Sequence, residues 1–319
     1  MGRVGCVPVS SPCTAFKTPP PPAPRLNGVG ARRYVLFNAM TMIPGAPRHV
    51  RKAVVTMAGI FLGRIETLGV APTIIGVDSG GGNASCRPLI DAGMTCLPDN
   101  LHAYCAVHNH TVMSWVPAAS RDTDRFGTRS VAVDAKYWYA LRFLRFGHTV
   151  VFADLDVLFV RSPLARSAAG RGLQGLSDSL HFFDADDERR IGNQSRCRPA
   201  LAYGAPCQST GLWFAQPTAA VIAFFNHFLS ELRRTCEWEQ SLFNRALHGS
   251  VRGSSWWRTM DYSVLSKQHY ANVDVFEERV ASNCSNDLVA IHMGYVSEAD
   301  KVSRLRGVLS QGLHHRLRR

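Results

Sequence analysis

The sequence predicts an α/β fold with a mostly parallel central sheet and helices on both faces. Short apolar runs rich in β-branched residues alternate with longer segments of helical periodicity, and this alternation is typical of βαβ units. Hydrophobic residues make up 46% of the 319-residue chain and charged residues 19%, so a sizeable core can form. Strands joined through a helix are expected to lie parallel, with right-handed crossovers.

The first βαβ unit is predicted near the start of the ordered chain. Its parts are a strand at residues 34–37, a helix at residues 49–68 and a strand at residues 72–77. The helix carries apolar side chains at helical spacing, and Gly69 follows it, a residue that often ends helices. This unit is therefore expected to begin the sheet.

Several stretches lack a periodic signal. Residues 1–32 contain a PPPPAP run and are predicted to be a disordered or linker segment. Gly80-Gly81-Gly82 is predicted to be a turn, because no helix is predicted to follow it and the glycine spacing differs from a dinucleotide fingerprint. Residues 84–128 are predicted to be irregular. One domain is expected at residues 33–305, followed by a basic tail at 306–319.

The second half of the chain continues the alternation. Its predicted elements are a helix at 131–146, a buried strand at 150–164, a short strand at 172–178, a buried strand at 208–215, helices at 219–234 and 238–247, and a late strand at 288–293. Gly147 ends the first of these helices, and Thr218 is the expected N-cap of the helix that begins at Ala219.

Two aspartates interrupt the apolar strand VVFADLDVLFVRSPL at residues 150–164. Asp154 and Asp156 are separated by one residue, so they lie on the same side of an extended chain. Burying two like charges together is costly unless something neutralises them. A divalent cation such as Mn²⁺ or Mg²⁺, which prefers oxygen ligands, would do so. The alternative is that the aspartates cap a loop or pair with a nearby arginine.

The chain is strongly basic, with a formal net charge of +12 and a pI near 9.6. Such a charge suits a polyanion or nucleic-acid partner, or a substrate that carries phosphate. Lysine and arginine are scattered along the chain, and the aromatic residues lie mostly in apolar runs. The sequence therefore predicts no nucleic-acid partner, and a phosphate-bearing substrate remains.

The nine cysteines form no CxxC pair, which disfavours a zinc ribbon or thioredoxin-type site. Their wide spacing and four Asn-x-Ser/Thr sequons, at Asn83, Asn109, Asn193 and Asn283, favour a disulfide-bonded glycoprotein in the Golgi or another secretory-pathway lumen. The sequence contains no apolar run of about 18 residues and no convincing signal peptide. A membrane anchor is therefore not expected within this sequence.

Five segments, in this order, resemble the nucleotide-diphospho-sugar transferase family. They are FGTRSVAVDAKYWYALRFLRFG, VVFADLDVLFVRSPL, STGLWFAQPT, WEQSLFN and AIHMGYVSEADK. The family comprises retaining glycosyltransferases with a GT-A (Rossmann-like) fold, related to glycosyltransferase families 8 and 77. The resemblance extends from about Tyr34 to Leu305.

The resemblance implies a set of site residues. Metal ligands would be Asp154, Asp156 and His292, binding Mn²⁺ (or Mg²⁺) that holds the diphosphate of the donor, with a UDP-sugar as the expected donor. Donor-binding residues would be Asn38, Ala39, Lys136, Asp178, Ser209, Gly211, Gly294 and Lys301. Glu239 and Gln240 would lie under the anomeric carbon as the catalytic pair.

Other roles remain open for several of these residues. Taken alone, Lys136 suits a solvated helix face, Asp178 a loop cap, Glu239 a helix N-terminal acid and His292 a structural histidine. The family's usual Asn-x-Gly is Ser209-Thr210-Gly211 here, and Lys301 is farther from His292 than in family 8. These departures leave the metal site intact.

The leading hypothesis is a metal-dependent retaining glycosyltransferase that moves a sugar from a nucleotide diphosphate to a hydroxyl of a glycan or glycoprotein. The alternatives are a basic polyanion- or nucleic-acid-binding protein and a catalytically inactive glycan-binding family member.

Overall fold

A computed structural model describes most of the predicted domain. The described residues are 34–40, 47–78, 83–100, 131–164, 172–178, 208–234, 239–247, 260–267, 269–281, 288–294 and 296–310. The predicted linker at 1–32, the Gly80–Gly82 turn, the sequons at Asn109, Asn193 and Asn283, and residues 311–319 of the predicted tail lie outside them.

The described elements alternate as the sequence predicts. The helices are α1 (Arg48–Thr67), α2 (Asn83–Ile90), α3 (Val131–Arg145), α4 (Ala219–Arg234), α5 (Glu239–Leu247), α6 (Val273–Ala281) and α7 (Glu298–Ser310). The strands are β1 (Tyr34–Met40), β2 (Thr73–Asp78), β3 (Leu97–Asn100), β4 (Thr149–Ala153), β5 (Val157–Phe159), β6 (Leu173–Ser177), β7 (Gln208–Ala215), β8 (Tyr262–Val264), β9 (Tyr270–Asn272) and β10 (Ala290–His292). Among these helices none is long and apolar enough to cross a membrane.

The central sheet has seven strands in the order β3-β2-β1-β4-β7-β6-β8. Strands β1, β2, β3 and β4 pair in parallel, as do β6 and β8. Strand β7 pairs antiparallel with both β4 and β6, so it is the reversed strand within an otherwise parallel sheet. A smaller sheet, in the order β5-β10-β9, lies beside it.

Helices cover both faces of the central sheet, which confirms the predicted fold class. Phe37 and Phe152 face a core formed with α3, α4 and α5, where Tyr137 and Trp213 stack with ring planes 5° apart. The residues next to them in the chain, Leu36 and Val151, face the opposite core, which includes Phe61 of α1. Because side chains alternate along a strand, each of these strands contributes side chains to both cores, as expected for strands buried on both faces.

The prediction of one continuous strand at 150–164 is wrong. Strand β4 ends at Ala153, and the Val157 N–H donates to the Asp154 carbonyl at 3.0 Å, closing a turn. Strand β5 then pairs antiparallel with β10 in the smaller sheet. The two aspartates therefore lie in a turn that connects the two sheets, and not within one extended strand as predicted.

Residues 84–128 are more regular than predicted, because α2 and β3 lie within the described part of that stretch. Helix α2 begins at Asn83, directly after the glycine run, although the sequence predicted that no helix would follow those glycines. A Cys86–Cys96 disulfide joins α2 to the segment that precedes β3. Elsewhere the bounds of β7 and α4 agree with prediction, and the Val221 N–H donates to Thr218 Oγ1 at 3.2 Å, confirming the N-cap.

Candidate metal and donor site

The turn after β4 places two carboxylates beside the end of β10. The Asp154 N–H donates to the Gly211 carbonyl at 2.8 Å, and the Met293 N–H donates to the Asp156 carbonyl at 3.0 Å. Antiparallel pairing sets His292 opposite Val157. These backbone contacts tie β4, β7 and β10 together where the aspartates emerge.

Asp154, Asp156 and His292 converge, as the sequence predicted. Each offers one ligand atom, and these atoms all lie within 4.8 Å of one another. His292 Nε2 lies 3.3 Å from Asp156 Oδ1, and both side chains are buried. We call these three residues together with Lys301 the metal cluster.

Two glycines leave room around the imidazole. A Cβ built at Gly211 would overlap the His292 ring and lie 3.0 Å from Asp154 Oδ2. A Cβ built at Gly294 would lie 2.8 Å from His292 Cε1. Any larger residue at either position would therefore displace the histidine. The structure thus gives both predicted glycines a steric role beside His292.

Lys301 reaches the metal cluster from helix α7. The Ser297 hydroxyl accepts the Asp300 N–H at 3.2 Å, which caps the start of α7. One turn in, Lys301 Nζ lies 3.0 Å from Asp156 Oδ2. The wider spacing from His292 in the sequence therefore does not keep Lys301 away from the site.

The two aspartates carry opposite pKa shifts. Burial would raise the pKa of Asp156, but Lys301 and His292 outweigh it and hold that pKa well below its usual range. Burial raises the pKa of Asp154 from 3.8 to about 6, with Asp156 adding to the rise and Lys136 opposing it. Burial would lower the pKa of His292, yet the pairing with Asp156 raises it. Asp154 is thus the carboxylate with the least compensation.

A second buried group, which we call the Glu239 cluster, consists of Lys136, Thr210 and Glu239. Lys136 Nζ donates to Glu239 Oε1 at 2.8 Å and to the Thr210 carbonyl at 3.3 Å. Thr210 Oγ1 donates to the same Glu239 oxygen at 2.7 Å. The Lys136 ammonium also lies about 5 Å from two aromatic rings, at 5.0 Å and 5.1 Å from their centroids.

These contacts keep Glu239 ionised. Burial would raise its pKa, but the charge of Lys136 and the hydrogen bonds from Lys136 and Thr210 lower it overall. Lys136 is 5% exposed, so the solvated-face alternative for this lysine is wrong. Its ammonium pairs with Glu239 in this structure.

Gln240 is held between a strand and a predicted sugar-binding acid. Its Nε2 donates to Asp178 Oδ2 at 2.9 Å, and its Oε1 accepts the Thr210 N–H at 3.3 Å. Asn244 accepts the Gln208 N–H at 2.8 Å and donates to the Gln208 carbonyl at 2.8 Å and the Gln240 carbonyl at 2.9 Å. This clamp fixes α5 against β7.

Sequence reasoning missed Thr210 and Asn244. Thr210 lies in a strand that is buried throughout, and a hydroxyl in such a run needs a partner, which was the available signal. Asn244 lies on the buried side of α5, where an amide carries the same signal.

The predicted base-binding residues lie at the end of β1. Asn38 Nδ2 donates to the Ala153 carbonyl at 2.8 Å, and Asn38 Oδ1 is buried without a hydrogen-bond partner among the described residues. Ala39 packs in the core beside α3. Their contact with a base stays a prediction.

The chemistry of the metal cluster fits Mn²⁺ or Mg²⁺. Two carboxylates offer hard oxygen ligands, and one imidazole is acceptable to Mn²⁺. A cation there would also compensate the charge of Asp154, whose pKa is raised by burial first and by Asp156 in addition. The identity of the ion, and the ligand roles themselves, stay predictions.

Comparison with known proteins identifies the family of the chain. The profile of a family described as Nucleotide-diphospho-sugar transferase matches residues 100–305. Arabinosyltransferase RRA2 of Arabidopsis thaliana is 21% identical over 234 residues, and Arabinosyltransferase RRA1 of the same plant is 22% identical over 231 residues. These matches cover 68% and 67% of this chain but 52% and 54% of the relatives, so the chain spans about half their length.

Solved structures are similar at lower levels of identity. The galactosyltransferase LgtC, in complex with donor and acceptor sugar analogs, is 10% identical with a TM-score of 0.48, over 86% of this chain and 95% of that one. Mouse xyloside xylosyltransferase 1 is 10% identical with a TM-score of 0.41, over 82% of this chain and 97% of that one. The family profile spans β4, β7, α5 and β10, well over half of the chain. The chain therefore belongs to the nucleotide-diphospho-sugar transferase family.

Proposed function

We propose that this protein is a metal-dependent, retaining glycosyltransferase that moves a sugar from a UDP-sugar to a hydroxyl of a glycan or glycoprotein. The observation that carries the proposal is the convergence of Asp154, Asp156 and His292 within 4.8 Å. The resemblance to the family implies a metal at these positions, and their convergence supports that assignment. We assign the transferase domain to residues 33–305.

A bound Mn²⁺ or Mg²⁺ would supply Lewis-acid neutralisation of the donor diphosphate. Asp154, Asp156 and His292 would hold it, and Lys301, already beside Asp156, would add positive charge near the leaving group. Asn38 and Ala39 would face the base. Gly211 and Gly294 would leave the space that the His292 ring needs to reach the metal.

The Glu239 cluster would act on the opposite side of the sugar. Glu239 is an anion held by Lys136 and Thr210, so it can stabilise positive charge on the anomeric carbon. Gln240 and Asp178 are hydrogen-bonded to each other and would orient the sugar hydroxyls. In the transfer, the bond between the anomeric carbon and the diphosphate oxygen breaks, and the acceptor oxygen bonds to that carbon from the same face. The acceptor proton passes to a β-phosphate oxygen.

We place the reaction in the Golgi or another secretory-pathway lumen. The buried Cys86–Cys96 disulfide supports an oxidising compartment. The names of the two plant relatives support including arabinose among the candidate donor sugars.

The test is donor hydrolysis and transfer by the purified chain with Mn²⁺, using UDP-arabinose, UDP-galactose, UDP-glucose and GDP-mannose. Thermal shifts rank the donors first, because a ligand that binds only the folded state raises its stability. We expect one UDP-sugar to be turned over, and both excess EDTA and Asp156→Ala to abolish turnover. Asp91→Asn, which changes an exposed carboxylate paired with Arg87, is the matched control and should stay active.

Full activity of Asp156→Ala in excess EDTA would overturn the proposal. Binding of Mn²⁺ and UDP without sugar release from any donor would instead identify an inactive glycan-binding member of the family.

A further inference from the structure

Ser209 of β7 contacts His292 through the ring nitrogen on the other side of the imidazole from Asp156. We propose that Ser209 is a positioning residue for His292, and that its hydroxyl fixes the ring so that Nε2 is presented to the divalent cation. This inference rests on the proposed metal site and assigns Ser209 a role other than contact with the donor sugar.

The contact is within hydrogen-bonding distance and is buried. Ser209 Oγ lies 3.3 Å from His292 Nδ1, while His292 Nε2 lies 3.3 Å from Asp156 Oδ1. Ser209 is 1% exposed and His292 is 6% exposed. In such surroundings a hydrogen bond determines the orientation of a side chain, since no water competes for it.

The direction of this hydrogen bond follows from the proposed metal role. An imidazole that binds a cation through Nε2 carries its proton on Nδ1, so Nδ1–H donates and Ser209 Oγ accepts. The hydroxyl can accept this bond, because the Gly211 N–H, at 3.3 Å, engages one of its two lone pairs and leaves the other. The Nε2 lone pair is then directed toward the carboxylates. Metal-binding histidines are commonly oriented through their second nitrogen in this way.

Strand geometry explains why a serine fits here. Ser209 and Gly211 lie on the same side of β7, because side chains alternate along a strand. Gly211 leaves the space that the His292 ring fills, and Ser209 reaches the edge of that ring. Thr210, between them, points to the other side and donates to Glu239 at 2.7 Å.

The test is a titration of Mn²⁺ alone, without nucleotide, into the full chain, followed by calorimetry and by the electron paramagnetic resonance signal of free Mn²⁺. We expect Ser209→Ala to raise the Mn²⁺ dissociation constant by about 10- to 100-fold. Ser209→Thr should bind Mn²⁺ nearly as tightly as wild type does. Ser209→Val, whose side chain is isosteric with threonine but lacks the hydroxyl, should bind as weakly as Ser209→Ala. The Thr/Val pair keeps shape constant, so a folding defect shared by both cannot mimic the effect.

Ser263→Ala is the control outside both clusters. It removes a hydroxyl that accepts a hydrogen bond from Gln174, and we expect its Mn²⁺ affinity to equal that of wild type. Unchanged Mn²⁺ affinity in Ser209→Ala and Ser209→Val would overturn the inference, and a raised donor KM in those variants would then assign Ser209 to the sugar. In that case Asp156→Asn would still abolish Mn²⁺ binding. Failure of the wild-type chain to bind Mn²⁺ would overturn the proposed metal site itself, and the inference with it.

Discussion

The metal cluster and the Glu239 cluster lie on opposite sides of β7, and they balance their buried charges differently. In the Glu239 cluster one carboxylate meets one ammonium and one hydroxyl, at 2.8 Å and 2.7 Å. In the metal cluster two carboxylates share Lys301 and His292, and both of those partners contact Asp156. Neither of those two contacts involves the Asp154 carboxylate.

The pKa shifts follow this difference. The pKa values of Glu239 and Asp156 are lowered in spite of burial, whereas that of Asp154 is raised to about 6. A cluster whose carboxylate already has a cationic partner keeps that carboxylate ionised without any added ion. A cluster in which burial disfavours the charge of one carboxylate, Asp154, can bind a cation there, at a cost in stability until the cation arrives. Substitutions in the two clusters distinguish these two kinds of charge balance.

Lys136→Met should have the largest effect on stability. It leaves Glu239 buried without its cation, which costs about 3–5 kcal/mol. We expect a urea midpoint far below that of wild type, measured in EDTA so that metal binding does not contribute. The double variant Lys136→Met/Glu239→Gln should recover part of the loss, because the two residues are coupled. Equal stability of the single and double variants would contradict the pairing.

Glu239→Gln should lower the rate of transfer by about 10²- to 10³-fold, because it removes the negative charge that is proposed to stabilise the anomeric carbon. The Mn²⁺ affinity should fall far less than the rate does, since no metal ligand is changed and Glu239 acts on Asp154 only through its charge. Steady-state kinetics and a Mn²⁺ titration check the two halves separately. Glu277→Gln, an exposed glutamate paired with Arg304, is the control. Wild-type turnover in Glu239→Gln would remove this residue from the chemistry.

The strands and helices that carry these clusters were largely predictable, because each depends on local signals. The apolar run of β7 and the Thr218 cap of α4 gave bounds that match the structure. The end of β4 at Ala153 was not predictable in this way. The apolar residues after Asp156 suit β5 as well as they would suit a longer β4, and the pairing of β5 with β10 decides between them.

The contacts within the clusters were only partly predictable. Resemblance to a family supplied the residues of the metal site, and the structure brings them together. The 103-residue separation between Lys136 and Glu239 leaves no periodic trace in the sequence. The approach of Lys301 to Asp156 likewise depends on how α7 packs against α1, which hydrophobic patterning along one helix cannot specify.

Asp154→Asn should stabilise the metal-free protein. Because the pKa of Asp154 is raised from 3.8 to about 6, its charged form is disfavoured in the folded state, and stability is lost as pH rises through that interval. The amide avoids this loss, which is at most about 3 kcal/mol at one pKa unit per 1.36 kcal/mol. Urea unfolding in EDTA should show the variant more stable above pH 6 and equal to wild type near pH 3.

The same variant should bind Mn²⁺ poorly, so that excess Mn²⁺ reverses the order of stability. If Asp154→Asn were less stable than wild type in EDTA at pH 8, the assignment of Asp154 as a carboxylate whose charge is disfavoured by burial would be wrong.

Thr210→Val should have the smallest effect. It removes one hydrogen bond to an ionised carboxylate, which contributes about 1.5 kcal/mol at the lower end of such bonds, and Lys136 still holds Glu239. Urea denaturation in EDTA measures this directly. Ser263→Ala, which removes a hydroxyl bonded to Gln174 away from both clusters, is the control. A loss as large as that of Lys136→Met would show that Thr210, rather than the ammonium, holds Glu239.

The most direct test of the metal-dependent donor site is calorimetric titration of UDP into the chain, with Mn²⁺ present or with EDTA. We expect UDP to bind with Mn²⁺, and EDTA or Asp156→Asn to weaken the affinity by about 100-fold or more, equivalent to about 2.7 kcal/mol. An equal UDP dissociation constant with and without Mn²⁺, in both the wild-type chain and Asp156→Asn, would contradict this expectation.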